Sequence, residues 1–104
     1  MRVLATRTIN AYRQCYPDAD SALKSWVALI KGNSFKHFVE LKTIFSSADL
    51  IEDDRIVFNI KGNRYRLIAA VNFNSQIVFV KWFGTHKDYN KINPSEVKHE
   101  YPPC

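Results

Sequence analysis

The chain has 104 residues with 46% hydrophobic and 13% aromatic content, which suits one globular domain spanning residues 1–104 and excludes a disordered chain. The formal net charge is +5, and its placement is uneven: residues 1–54 carry seven Lys or Arg against seven Asp or Glu, whereas residues 55–104 carry eight against three. An excess confined to one half predicts a polyanionic partner such as nucleic acid.

No stretch approaches the length of a membrane span, and MRVLATRTINAYRQ lacks the uninterrupted apolar run of a signal peptide. Only Cys15 and Cys104 occur, so neither a disulfide framework nor a metal pattern is expected, and no cofactor is implied. Such cysteine usage predicts a reducing compartment, the cytoplasm.

Val3 to Ala5 reads as a first strand, with Thr6 as the N-cap of a helix that buries Ile9, Tyr12 and Tyr16 and stops at Pro17. Cys15 is expected to pack beside these residues as a free thiol. Asp18 reads as the cap of a second helix, in which Leu23, Trp26, Val27 and Ile30 recur at helical spacing, and Gly32 as its left-handed end. The two helices should form an antiparallel hairpin. Phe35, Phe38, Leu41 and Phe45 suggest one short helix, and Glu52, Asp53 and Asp54 a solvated acidic loop before the sheet.

The stretch from Arg55 to Lys87 holds six Lys or Arg and one His with no acid. Gly62-Asn63 and Asn74-Ser75 predict two hairpin turns. Taken as two-residue loops, they set Asn59 opposite Arg66, Ile68 opposite Lys81 and Arg66 opposite Phe83. One face then carries Ile56, Phe58, Ile60, Tyr65, Leu67, Ala69, Val71, Val78, Val80 and Trp82, and the helical hairpin packs on it. The other receives Arg55, Asn59, Lys61, Arg64, Arg66 and Lys81, interleaved with Val57, Ile68, Phe79 and Phe83. A merely solvated sheet would mix Glu with Lys, so an acid-free face points to RNA, with cations on phosphates and rings on bases.

Thr85 and Asp88 form a capping pattern that opens a short helix at His86 and ends it near Ile92, and the Pro-rich segment of about 95–104 reads as a loose tail. The chemistry that fits is RNA cleavage by attack of a ribose 2′-hydroxyl on the adjacent phosphate. It requires positive charge on the phosphorane and groups that move two protons. Arg66 is the best-placed charge stabiliser and His86 the first choice of acid or base; Tyr89 could orient the base or stack on it. No paired carboxylates, glycine-rich phosphate loop or activated serine context offers another chemistry.

The runs FNIKGNRYRL and GTHKDY, within Val57 to Ile92, resemble HigB-type toxins of the RelE-like superfamily, with weaker similarity over nearly the whole chain. The resemblance implies an α+β fold, a small twisted antiparallel sheet with an N-terminal helical hairpin on one face and a short C-terminal helix. It implies a ribosome-dependent mRNA interferase of a type II toxin–antitoxin system. The implied partners are mRNA, the ribosome and a HigA-like helix-turn-helix antitoxin, with operator DNA met only through the antitoxin complex. The family's site matches Arg66, Asn59 and Lys61 on the preceding strand, and His86 with Tyr89; Arg66, His86, Tyr89 and Lys61 are expected to be catalytic, and Arg55, Asn59, Arg64, Lys81, Phe83 and Lys87 to bind RNA. Asn59 stands where some relatives carry Lys and His86 where some carry Arg, so Lys61, Lys81 and His86 all remain open as general base, and Tyr101 is a further candidate. The alternatives are a noncatalytic RNA- or ribosome-binding translation inhibitor and a degenerate toxin kept as a repressor component.

Overall fold

The structure, a computed structural model, describes residues 1–4, 6–52 and 54–98. Among these, strand β1 (Arg2–Leu4) leads into helix α1 (Thr6–Cys15), and a single 3-10 turn at Pro17–Ala19 links it to α2 (Asp20–Lys31). Short α3 (Phe38–Ile44) and β2 (Asp49–Glu52) precede the central strands β3 (Arg55–Ile60), β4 (Tyr65–Asn72) and β5 (Ile77–Thr85), and α4 (His86–Tyr89) follows. The sheet order is β1-β5-β4-β3-β2. The fold is α+β as expected, but the sheet is mixed rather than antiparallel, because β1 runs parallel to β5 with Val3 opposite Val78. A chain that returns through two helices can lay its first strand on a distant edge in either sense, whereas hairpin-linked strands can only be antiparallel.

The helical hairpin covers one face through Ile9, Tyr12, Leu23, Trp26 and Ile30, all buried. Trp26 meets Phe58 edge-on at 5.3 Å, and Tyr12 meets Phe83 at the same separation. The N-terminal ammonium donates to the carbonyls of Ile30 and Asn33, which ties β1 to the end of α2.

Several local expectations are corrected. Asp18 caps nothing: Ala19 is the N-cap of α2 and makes no side-chain cap bond, while Asp18 reaches across to the sheet. Gly32 keeps right-handed geometry at φ −81°, its N–H donating to Ala28, so no left-handed end is needed. β2 was not anticipated, since its exposed sequence DLIE lacks the apolar alternation that marks a strand. Cys15 is disulfide-bonded rather than free; it closes α1 half-exposed, where a sulfur can reach beyond the core. Helix α4 ends at Tyr89, three residues before Ile92.

The first hairpin follows its predicted register, with Asn59 opposite Arg66 and Gly62 left-handed at φ +66°. The second departs from it. Asn72 to Ala69 pair with Ile77 to Val80 as expected, but beyond a bulge Ile68 faces Trp82, Leu67 faces Phe83 and Arg66 faces Gly84. Lys81 is the inserted residue, so every later side chain of β5 changes face. Phe83, expected among the cations, is 2% exposed in the core, stacked on Tyr65 at 5.3 Å and an interplanar angle of 14°. Trp82, expected in the core, turns to the opposite face and lies 6.1 Å from Tyr89.

That opposite face is not open along its length. Val57 and Ile68 are buried, since α4 packs on β4 and β5 and the segment after it is tied to β3. Arg55 makes the tie by donating to the carbonyls of Pro94 and Val97. The described part of the expected loose tail is therefore anchored; residues 99–104, with Tyr101, lie outside the described residues.

Candidate active site

Arg66 is the second residue of β4, the middle strand of the sheet, with Asn59 beside it on β3 and Gly84 on β5. It is half-buried, its guanidinium carbon 5.8 Å from the centre of the Tyr89 ring. Its Nη1 is fully buried and has no hydrogen-bond partner among the described residues. A desolvated guanidinium N–H without an acceptor costs on the order of 1–3 kcal/mol, so this position favours an acceptor supplied by a ligand. A phosphate oxygen is the acceptor that matches both the charge and the fork of donors.

Tyr89 closes one side of this position. Burial raises its hydroxyl above the usual tyrosine range; Arg66 opposes that shift and Asp49 adds to it. The group is therefore a neutral donor at physiological pH. His86 lies three residues earlier, on the same side of the single turn of α4. Its backbone N–H donates to the Arg64 carbonyl at 2.9 Å, and its Nδ1 lies 3.3 Å from Asn90 Nδ2. Asn90 engages Nδ1, so Nε2 is the ring nitrogen outside this contact. Thr85 Oγ1 accepts from the Asp88 N–H at 3.1 Å, so the expected cap is present and fixes where α4 begins.

The remaining predicted residues scatter into different environments. Lys61 and Arg64 stand at the tip of the β3–β4 hairpin, each 3.4 Å from Asp18 Oδ2. Tyr65 donates its hydroxyl to the other oxygen of the same carboxylate. That bond, ahead of Lys61, holds Asp18 below the usual carboxylate range, and burial followed by Asp18 pushes Tyr65 up to about 12. Lys61 is thus engaged at the tip rather than directed at Arg66. Arg55 is committed to the Pro94 and Val97 carbonyls. Phe83 is withdrawn from the RNA-facing set by the bulge. Asn59 stays half-exposed opposite Arg66, Lys81 rests 4.5 Å above the Phe79 ring, and Lys87 is exposed on α4.

One residue at this site was assigned to the core: Trp82. The signal that could have found it is Gly84, because a glycine within an apolar strand marks a bulge or a close approach. A Cβ on Gly84 would lie 2.7 Å from Trp82 Cη2 and 2.8 Å from Cζ2. The indole therefore occupies the space that a side chain opposite Arg66 would fill.

The family described as HigB_toxin, RelE-like toxic component of a toxin-antitoxin system, matches residues 19–92, which include β2 to β5 and α4. The chain is 30% identical to the mRNA interferase toxin HigB of Escherichia coli strain K12 over 92 residues, 86% of this chain and 88% of that one. The same figures hold for the mRNA interferase HigB of Shigella flexneri. The mRNA interferase HigB of Escherichia coli O6:H1 strain CFT073 is 29% identical over 94 residues, 88% of this chain and 91% of that one.

Proposed function

The chain belongs to the HigB toxin family, the RelE-like toxic components of toxin–antitoxin systems, and on that premise we propose how its site cleaves RNA. The protein is an mRNA endoribonuclease, the toxin whose activity a cognate antitoxin restrains. The observation that carries the mechanism is the buried Arg66 Nη1 without a partner among the described residues. Arg66 binds the scissile phosphate, and its charge grows in worth as the phosphorane forms. The neighbouring ribose 2′-hydroxyl attacks that phosphorus, and the 5′-oxygen of the next nucleotide leaves. His86 gives a proton through Nε2 to the leaving 5′-oxygen, the 2′-hydroxyl proton passes to water, and Tyr89 donates a hydrogen bond to a phosphate oxygen. Asn59 and Lys81 flank the RNA path, while Asp18 holds Lys61 and Arg64 back at the hairpin tip.

Cleavage takes place on mRNA held in the ribosome, and the partner that blocks it is a HigA-like helix-turn-helix protein, through which alone operator DNA is met. We place the protein in the cytoplasm because its substrate is there; cysteine usage no longer argues for it, since Cys15 is bonded.

The test is induction of the toxin without antitoxin, with transcript 5′ ends mapped. New 5′ ends and growth arrest are expected for the wild type, and both are expected to be lost in folded Arg66→Ala and His86→Ala. Full toxicity in both variants would overturn the assigned site. Arrest with intact transcripts would replace the enzyme by a noncatalytic translation inhibitor.

A further inference from the structure

We propose that Trp82 is the stacking platform for one nucleobase of the bound RNA, with a purine preferred. This rests on the RNA-cleaving reading above and adds to it the residue that selects a base. Three observations converge on Trp82. The bulge at Lys81 turns its indole onto the face of Arg66. Gly84, directly across from Arg66, supplies the space in which the ring lies. Tyr89 stands 6.1 Å from it at an interplanar angle of 47°, too tilted for the two rings to cover one another.

The arrangement is specific in what it offers. Arg66 is bounded by Tyr89, while Trp82 leans over the neighbouring position, and the guanidinium keeps its buried Nη1 for an anion. A phosphate on Arg66 brings its own nucleoside within reach of the two rings, since a base lies only a few ångströms from the phosphate that links it. Trp82 carries no charge and no group that could move a proton here, so its contribution is to hold a base flat. A bicyclic indole overlaps a purine more fully than a pyrimidine, which gives the direction of the preference. Simple packing does not require this placement: Phe83 beside it already fills the core, and the helical hairpin covers the opposite face of the sheet.

The experiment uses the full-length protein and short single-stranded oligonucleotides of uridine with one adenosine moved through successive positions. The 2′-hydroxyls are replaced by hydrogen so that nothing is cleaved. Tryptophan emission and affinity are read together. Binding is expected to quench the wild type, because Trp26 is 3% exposed and reports little, and to be tightest with the adenosine at one position. Trp82→Ala is expected to lose about 5- to 150-fold in affinity, the range for one stacked base, together with the purine preference. Trp82→Phe should keep part of the affinity and lose the quenching. Gly84→Ala, which displaces the indole without touching a charge, should reproduce the loss of preference.

Arg66→Ala separates this idea from the reading beneath it. It should weaken all sequences alike and lower the salt dependence. If Trp82→Ala and Gly84→Ala keep the wild-type preference while Arg66→Ala loses affinity, the platform is wrong and the RNA reading stands. If the wild type binds no oligonucleotide with a salt-dependent affinity, the platform is wrong, while the RNA reading is decided by the mapping of transcript 5′ ends. Should Trp82→Ala not fold, an unquenched wild type at saturating oligonucleotide overturns the platform on its own.

Discussion

The tip of the β3–β4 hairpin and the strand pair just behind it carry the same kind of charge under opposite conditions. At the tip, Lys61 and Arg64 are exposed and share the Asp18 carboxylate at 3.4 Å. Behind it, on the middle strand of the sheet, Arg66 is half-buried and its Nη1 meets no acceptor among the described residues. The tip cations already have a counter-charge and bulk water, so little is gained when phosphate replaces them. Arg66 has neither at Nη1, and a phosphate there removes a standing cost. A sequence rich in arginine and lysine thus contains few positions where charge can drive chemistry, and burial rather than count selects them.

The largest expected effect breaks this contrast at Arg66. Arg66→Ala should reduce the cleavage rate by about 10²- to 10³-fold, the usual consequence of removing one preorganised donor. Arg64→Ala should lower it by less than about tenfold, as an exposed pair contributes little. Single-turnover cleavage of a defined transcript measures both. Equal losses in the two variants would show that burial does not distinguish them.

Arg55 supplies an intermediate case, a cation on the same strand face that binds the protein's own backbone. Arg55→Ala removes the donor to the Pro94 and Val97 carbonyls. Faster amide hydrogen exchange across residues 93–97 is expected, with a loss of stability of about 1.5–3 kcal/mol, the range for hydrogen bonds to a charged group. Cleavage should fall only as far as the cover over Val57 and Ile68 loosens. A drop as large as that of Arg66→Ala, with exchange unchanged, would return Arg55 to the RNA-binding surface.

How much of this was readable beforehand depended on whether the cause was local. The first turn was legible because Gly62 tolerates the left-handed conformation that the turn requires, and it fixed Asn59 against Arg66. The cap of α4 was legible because Thr85 and Asp88 act over three residues. The second hairpin failed at Lys81 for a physical reason: both Trp82 and Phe83 are large and aromatic, so either could have faced the helices without spoiling the alternation. The choice is made by a bulge and by the space over Gly84, which only the folded chain contains. Asp18 failed for the opposite reason. Its position before a helix is a good cap on paper, but Tyr65, Lys61 and Arg64 lie more than forty residues away and compete for it successfully.

Asp18 also gives the smallest and most direct test of the contrast. Asp18→Asn keeps an acceptor for the Tyr65 hydroxyl while removing the charge that holds Lys61 and Arg64. If the tip cations are restrained by that charge, the variant should bind single-stranded RNA with a steeper salt dependence, by about 0.7 in the logarithmic slope for each phosphate newly engaged. An unchanged slope would mean that RNA already displaces Asp18 in the wild type. Stability should change in a pH-dependent way as well. The Asp18 carboxyl titrates below its ordinary 3.8, chiefly because Tyr65 donates to it. A group whose folded-state value is depressed stabilises the fold fully above its unfolded value and loses that contribution as pH falls through the folded one. The wild type should therefore exceed Asp18→Asn in denaturant midpoint at neutral pH, and the gap should close below about pH 4. A gap that persisted in acid would assign the difference to packing of the asparagine, and the tip would then be held by shape rather than by charge.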